Sequence, residues 1–342
     1  MKKTLFSIIG TRPQIIKAAI MHSNFLKYKK INHIIIDTGQ HYDKKMFKNF
    51  IQEYNLKSKN IFFLNCIDKS NKLSRSNFNK KITPIIRRFR PAHAIVYGDT
   101  MSTLIAAQTM KKNNVKISHI ESGARSFDKR MIEEKVRKKV DHISNLLFCC
   151  TKNCKNNLIN ENINKKKIFL VGDILYDIFL KNKDKLKKKN IQKQFNLLTL
   201  HRRENLYSKK RLSSIFDFLI KNSRREILFP AHPHTIKKIN QFNMKLDKKI
   251  KIISPVNHIK LLNFIKNSDI VFTDSGGVQR EAYFQKKKAI ILRDKVEWVD
   301  ILRYGKQVKW KSNLKFGSYT KNLLGNGNAA ANIIKIIFKK IR

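Results

Sequence analysis

The strongest constraint on the fold is where this chain keeps its few glycines. Glycine accounts for 11 of 342 residues, less than half the usual ~7%. Each glycine is therefore expected where the backbone needs it. Gly10, Gly39, Gly98, Gly123 and Gly172 each follow a short apolar run at once or within a few residues. Those runs are residues 5–9, 34–37, 94–97, 117–120 and 168–171, and Gly276 and Gly277 follow residues 270–273 in the same way. Between them lie stretches with helical spacing, such as 15–26, 102–110 and 132–146. Strand, turn and helix, repeated, predict parallel sheets with right-handed crossovers.

The pattern pauses at 177–193, which is Lys-rich and polar. It restarts with expected strands at 195–200, 226–230, 251–253, 270–273 and 289–292. The expected architecture is α/β, with two Rossmann-like doubly wound domains. Their expected bounds are 1–176 and 194–327, joined by a linker at 177–193. A last helix at 328–342 can pack on either domain. Ligands of such sheets sit beyond the strand C-termini where strand order switches. With two domains, the site is expected in the cleft between them.

A formal charge of +50 first suggests a polyanion as partner. The lysines do not gather on one segment, however. Runs at 165–167, 181–189 and 286–288 are separated by single lysines almost everywhere. There is no zinc-finger spacing, no aromatic-basic RNA signature and no basic zipper, so nucleic acid is not the expected partner. Hydrophobic residues make up 42%, too many for a disordered basic tail. No apolar stretch is long enough for a membrane helix. Residues 1–9 mimic a secretory leader, but the apolar run is too short. They read as a first buried strand, and a cytoplasmic location is expected. Cys66, Cys149, Cys150 and Cys154 form no CxxC pair. They read as buried free thiols, and no metal is expected.

Seven stretches carry chemistry. Gly10-Thr11-Arg12-Pro13 joins a strand to a helix, aiming Arg12 at an anion over the helix N-terminus, with Lys17 one turn on. Asp274-Ser275-Gly276-Gly277 also opens a helix. Its free N–H groups and the Ser275 hydroxyl suit a phosphate, and Glu281 one turn later suits a ribose diol. Asp99 and Glu121 stand just past strand ends. Glu133 and Arg137 share a helix face, where the plain alternative is a surface ion pair worth tenths of a kcal/mol. Grouped carboxylates can divide acid and base work. His201 and His232 stand at two further strand ends, with Arg202 and Arg203 beside the first.

In this order, GTRPQIIKAA, DTGQHYDKKMF, VYGDTMSTLIAA, HIESGARSFDKRMIEEKVRKKVDHISNLLF, VGDILYD, LTLHRRENL, FPAHPHTIKKI, FTDSGGVQREAYF and ILRDKVEW resemble the non-hydrolysing UDP-N-acetylglucosamine 2-epimerase family. The resemblance implies a glycosyltransferase-B type fold, a homodimer, and a C-terminal helix that crosses back onto the first domain. It implies inversion at C2 of a UDP-N-acetylhexosamine, UDP-GlcNAc to UDP-ManNAc, by elimination and re-addition of UDP without redox cofactor or metal. Product sugars of this kind supply surface polysaccharide. By motif, Asp99, Glu121, Glu133 and His201 match the catalytic residues. Arg12, Lys17, Arg137, His232, Ser275, Gly276, Gly277 and Glu281 match the UDP-binding and supporting positions. Gln14 stands where many members have Glu, Ile132 where Pro is usual, and Val136 where Asn is usual. TGQHYD, VGDILYD and EAYF with EWVD look closer to a branch acting on UDP-2,3-diacetamido-uronates. Three other readings are a C2 epimerase of that sugar, a hydrolysing relative that releases N-acetylmannosamine, and a non-catalytic binder of nucleotide sugar or polyanion.

Overall fold

The computed structural model describes residues 2–40, 60–186 and 194–341, without the side chains of Arg12 and Ile341. The chain forms two compact units. One comprises Met1–Ile178 with Leu324–Arg342, and the other Phe179–Leu323.

The first unit carries strands β1 (Lys3–Ile9), β2 (Ile31–Asp37), β3 (Ile61–Phe63), β4 (His93–Tyr97), β5 (Lys116–Ile120), β6 (Leu146–Cys149) and β7 (Ile168–Leu170). They form a sheet of order β3-β2-β1-β4-β5-β6-β7, parallel throughout. The second carries β8 (Phe195–Thr199), β9 (Glu226–Pro230), β10 (Ile250–Ile253), β11 (Ile270–Thr273), β12 (Lys288–Ile291) and β13 (Gln307–Lys309). Their order is β10-β9-β8-β11-β12-β13, again parallel. Strand order therefore switches between β1 and β4, and between β8 and β11.

The central strands are continuous apolar runs because helices cover both faces. In β4 and β8 every residue is buried. Phe6, Ile8, Val96, Ile105, Met110 and Val140 form part of one core. Leu198, Leu219, Phe229, Phe272 and Ile290 form part of the other. At the first switch point the turn after β1 passes so close to Ser102 and Thr38 that a Cβ on Gly10 would collide with both hydroxyls. This glycine is required by space, not by φ.

Local chemistry sets the helix starts. Thr100, Thr151, Ser208, Asn257 and Ser275 each accept a hydrogen bond from an N–H in the first turn of the helix they precede. The predicted helix at 132–146 is shorter, spanning Ile132–Ile143, and β6 follows at once. Asn145 is the cause. Its N–H donates to Ile117 O and its Oδ1 accepts from Ile117 N–H, both at 2.8 Å, which draws the chain into the sheet beside β5. The three-residue edge strands β3 and β13 are not among those expected from the sequence, although β7, an equally short edge strand, is.

The polar stretch 177–193 opens inside a helix, Ile174–Asn182. Ile174, Leu175, Ile178 and Phe179 are buried there, and residues 187–193 lie outside the described residues. Within that helix Asp177 caps another one. Its carboxylate accepts from Ala329 N–H at 3.1 Å and Ala330 N–H at 2.7 Å, the first residues of the helix Ala329–Ile341. That helix buries Ile333, Ile334 and Ile337. Its Phe338 ring sits 5.7 Å from Tyr28, so it belongs to the first unit.

Candidate active site

Two acidic residues of the first unit, Asp99 and Glu121, stand just past the paired strands β4 and β5. Glu121 follows β5 directly and takes φ +70°, the left-handed region that costs a non-glycine residue about 1 kcal/mol or more. Gly98 takes φ +63° across from it; a Cβ there would stand 3.5 Å from Glu121 Oε2, an ordinary contact, so φ and not space calls for this glycine. Glu121 Oε1 pairs with the buried ammonium of Lys17 at 2.5 Å. Asp99, past β4, pairs with Arg137 Nη2 from the helix Ile132–Ile143. Arg137 is buried and also reaches Glu134 Oε2 at 3.1 Å, so its pairing is not confined to the helix surface. Glu133 is half-buried on that helix. The structure thus brings together Lys17 with Glu121 and Arg137 with Asp99.

Gln14 stitches the two turns of the switch point. Its Oε1 accepts from Gly10 N–H at 2.9 Å and Thr11 N–H at 3.2 Å. Its Nε2 lies 2.7 Å from Tyr97 O and 2.9 Å from the Thr100 and Thr103 hydroxyls, acceptors that share its two hydrogens. A carboxylate lacks the donor that faces Tyr97 O, so an amide suits this chain. Arg12 stands at the start of the helix Arg12–Phe25, with its side chain outside the described structure.

Beneath the carboxylates lies a buried ionic node. His119 Nδ1 donates to Asp141 Oδ1 at 2.6 Å, and Nε2 donates to Gly98 O at 2.7 Å. Asp141 Oδ2 accepts from Arg125 Nη2 at 2.7 Å and Gly123 N–H at 3.1 Å. Burial pushes the Asp141 carboxyl up, but His119 and Arg125 outweigh it and hold it below the usual range. Burial likewise opposes the charge of Arg125, and Glu161 and Asp141 more than restore it. Because Asp141 sits on the helix that carries Glu133 and Arg137, the node ties that helix to the ends of β4 and β5. Glu134 adds a second tie, accepting from Ser126 N–H at 2.8 Å and Ser126 Oγ at 2.9 Å.

In the second unit the buried Asp274 carboxylate organises the other switch point. It accepts from His201 N–H at 3.1 Å and Arg202 N–H at 2.9 Å, and from Asn205 Nδ2 at 3.1 Å. His201 Nδ1 lies 3.3 Å from it, with the ring half exposed. The backbone at β8 is therefore pinned while the imidazole faces outward. Ser275 Oγ accepts from Val278 N–H at 3.4 Å, which leaves its hydroxyl proton to donate. Gly276 and Gly277 open the helix Gly276–Phe284. A Cβ on Gly276 would lie 3.0 Å from Trp298 Nε1. Glu281 is buried and accepts from His258 Nε2 at 2.7 Å. His232 is exposed past β9. It caps the helix Pro233–Gln241 through Nδ1, which accepts from His234 N–H at 3.3 Å.

Sequence reasoning missed His119, Arg125, Glu134, Asp141, His258 and the carboxylate role of Asp274 in pinning its neighbours. Their partners lie far along the chain, and no local spacing marks them. Among the described residues no group of three His, Cys, Asp or Glu is arranged to hold a metal. The four cysteines are buried and none is in a disulfide, and burial pushes the Cys66 thiol up to about 11. His41 and Tyr42 of TGQHYD lie outside the described residues.

Two parallel sheets with strand-end carboxylates on one and a glycine helix turn on the other define an α/β enzyme with a glycosyltransferase-B-like fold. The family described as UDP-N-acetylglucosamine 2-epimerase matches residues 24–338. A UDP-N-acetylglucosamine 2-epimerase homolog of Methanococcus maripaludis is 37% identical, over 97% of this chain and 99% of its own. A UDP-2,3-diacetamido-2,3-dideoxy-D-glucuronate 2-epimerase of Pseudomonas aeruginosa is 35% identical, over 89% and 87%. The crystal structure of Methanocaldococcus jannaschii UDP-GlcNAc 2-epimerase in complex with UDP-GlcNAc and UDP is similar with a TM-score of 0.87 at 34% identity, covering 98% of this chain and 99% of that one. The chain belongs to the UDP-N-acetylglucosamine 2-epimerase family. No helix among the described residues is long and apolar enough to cross a membrane.

Proposed function

We propose that this protein interconverts C2 epimers of a UDP-N-acetylhexosamine, UDP-GlcNAc and UDP-ManNAc, as a cytoplasmic homodimer feeding surface polysaccharide synthesis. The observation that carries the reading is the set of carboxylates just past β4 and β5, Asp99 and Glu121 each seated on a buried cation. A carboxylate takes the C2 proton. The C–H electron pair becomes the C1=C2 double bond as the C1–O bond breaks, and UDP leaves with that bonding pair. A proton then returns to the opposite face of C2 and UDP re-adds at C1. Asp99, Glu121 and Glu133 are the proton-transfer candidates. The C2 proton is weakly acidic, so charge on the departing diphosphate must be stabilised. His201, Arg12, His232, the Ser275 hydroxyl and the N–H groups of Gly276 and Gly277 are suited to that, and Glu281 to the ribose.

Turnover in D2O tests the mechanism. Deuterium at C2 of the product is expected, and an active preparation that gives unlabelled product overturns proton abstraction. The similarity to the Pseudomonas aeruginosa enzyme supports a second reading, C2 epimerisation of a UDP-2,3-diacetamido-uronate. Product NMR with both sugars separates the two, and release of free N-acetylmannosamine would identify hydrolysis instead.

A further inference from the structure

His258 and Glu281 form a buried pair, 5% and 4% exposed, whose histidine has no part in the mechanism above. Glu281 lies one turn into the helix after β11. His258 is the first residue of the helix His258–Asn267, which follows β10 and is capped by Asn257. In the sheet β10 and β11 are separated by β9 and β8, so the pair joins two distant crossovers. Gln285 Nε2 donates to Leu262 O at 3.2 Å between the same two helices, which fixes their spacing. The torsion that turns a Glu carboxylate is soft. One bond from His258 Nε2–H to Oε1 sets the plane of that carboxylate, and each oxygen still has a lone pair for a hydroxyl.

We propose that His258 is a positioning residue for ribose recognition: it orients Glu281 so that one carboxylate accepts from both ribose hydroxyls. The proposal rests on the assignment of Glu281 to the ribose. A site built around a substrate hydroxyl discriminates against the analogue that lacks it. Calorimetry on the full chain with UDP and 2′-deoxy-UDP tests this. The wild type is expected to prefer UDP by about tenfold or more, the size of one net hydrogen bond. His258→Leu is expected to lose that preference, with UDP weakened about tenfold and 2′-deoxy-UDP unchanged. KM should rise while kcat at saturation holds. In His258→Gln the amide nitrogen stands in for Nε2, and the preference should return. Should His258→Leu not fold, His258→Asn, too short to reach Oε1, takes its place with the same expected loss. A discriminating wild type with an unchanged ratio in the variant, or equal weakening of both nucleotides, overturns the positioning role alone. A wild type that binds both nucleotides equally overturns the ribose assignment of Glu281, and the proposal with it.

Discussion

Glu121 keeps a left-handed backbone although glycine would hold it without strain, so its side chain carries the reason for its presence. Glu121→Gln preserves size and removes the base. It is expected to lower kcat by ~10²-fold or more, with UDP affinity held. Asp99→Asn is expected to do the same, and a near-normal rate in either variant removes that residue from the proton-transfer set. His119 belongs to the supporting layer. His119→Leu leaves Asp141 without one of its buried donors and is expected to destabilise the fold by about 3 kcal/mol, read by urea unfolding. The carboxylates at strand ends were legible because a glycine and the end of an apolar run mark the rim of a parallel sheet. Their partners were not. Nothing near Asp99 announces Arg137, and nothing near Glu281 announces His258, because the contacts form only when crossovers pack.

At the scale of elements, the main signal was the alternation of apolar run and helical period, and it located every strand of four or more residues except β6. There the helical spacing of 132–146 ran on into a strand, and the Asn145 bonds to Ile117 decide against it. The capping of the last helix by Asp177 was equally hidden, since acceptor and donors are about 150 positions apart. Asp177→Ala leaves two buried N–H groups unpaired. It is expected to cost about 1–2 kcal/mol and to speed hydrogen exchange at the Ala329 and Ala330 amides before the central strands respond. Unchanged exchange there would mean that packing alone seats the helix.

For the whole molecule, pH dependence follows from groups buried against their charge. Burial lowers His22 and His33, with His22 further lowering its neighbour, and brings His93 down to about 4. The unfolded chain binds protons at these sites first. Their stability is full above about 6.5 and is lost as pH falls toward 4. Asp37 and Asp177 oppose this trend, because burial raises both to about 6. Their contribution is present below about 3.9 and lost as pH rises through 6. Urea unfolding from pH 7 to 4.5 is expected to show falling stability, steeper in Asp37→Asn, where one opposing group is gone. The +50 charge acts at longer range. It attracts a UDP-sugar dianion, so KM is expected to rise with ionic strength while kcat changes little.

The chain leaves the first unit at Ile178 and rejoins it at Leu324, where Asp173 N–H donates to Leu324 O at 2.9 Å. The second unit is thus an insertion in the first. During synthesis the second unit has all its strands before the first has its last helix. The earlier-made sheet must wait, with the apolar seat of Ile333, Ile334 and Ile337 uncovered, until the helix Ala329–Ile341 emerges. A chain cut anywhere after residue 323 therefore damages the unit that was begun first and leaves the inserted one whole.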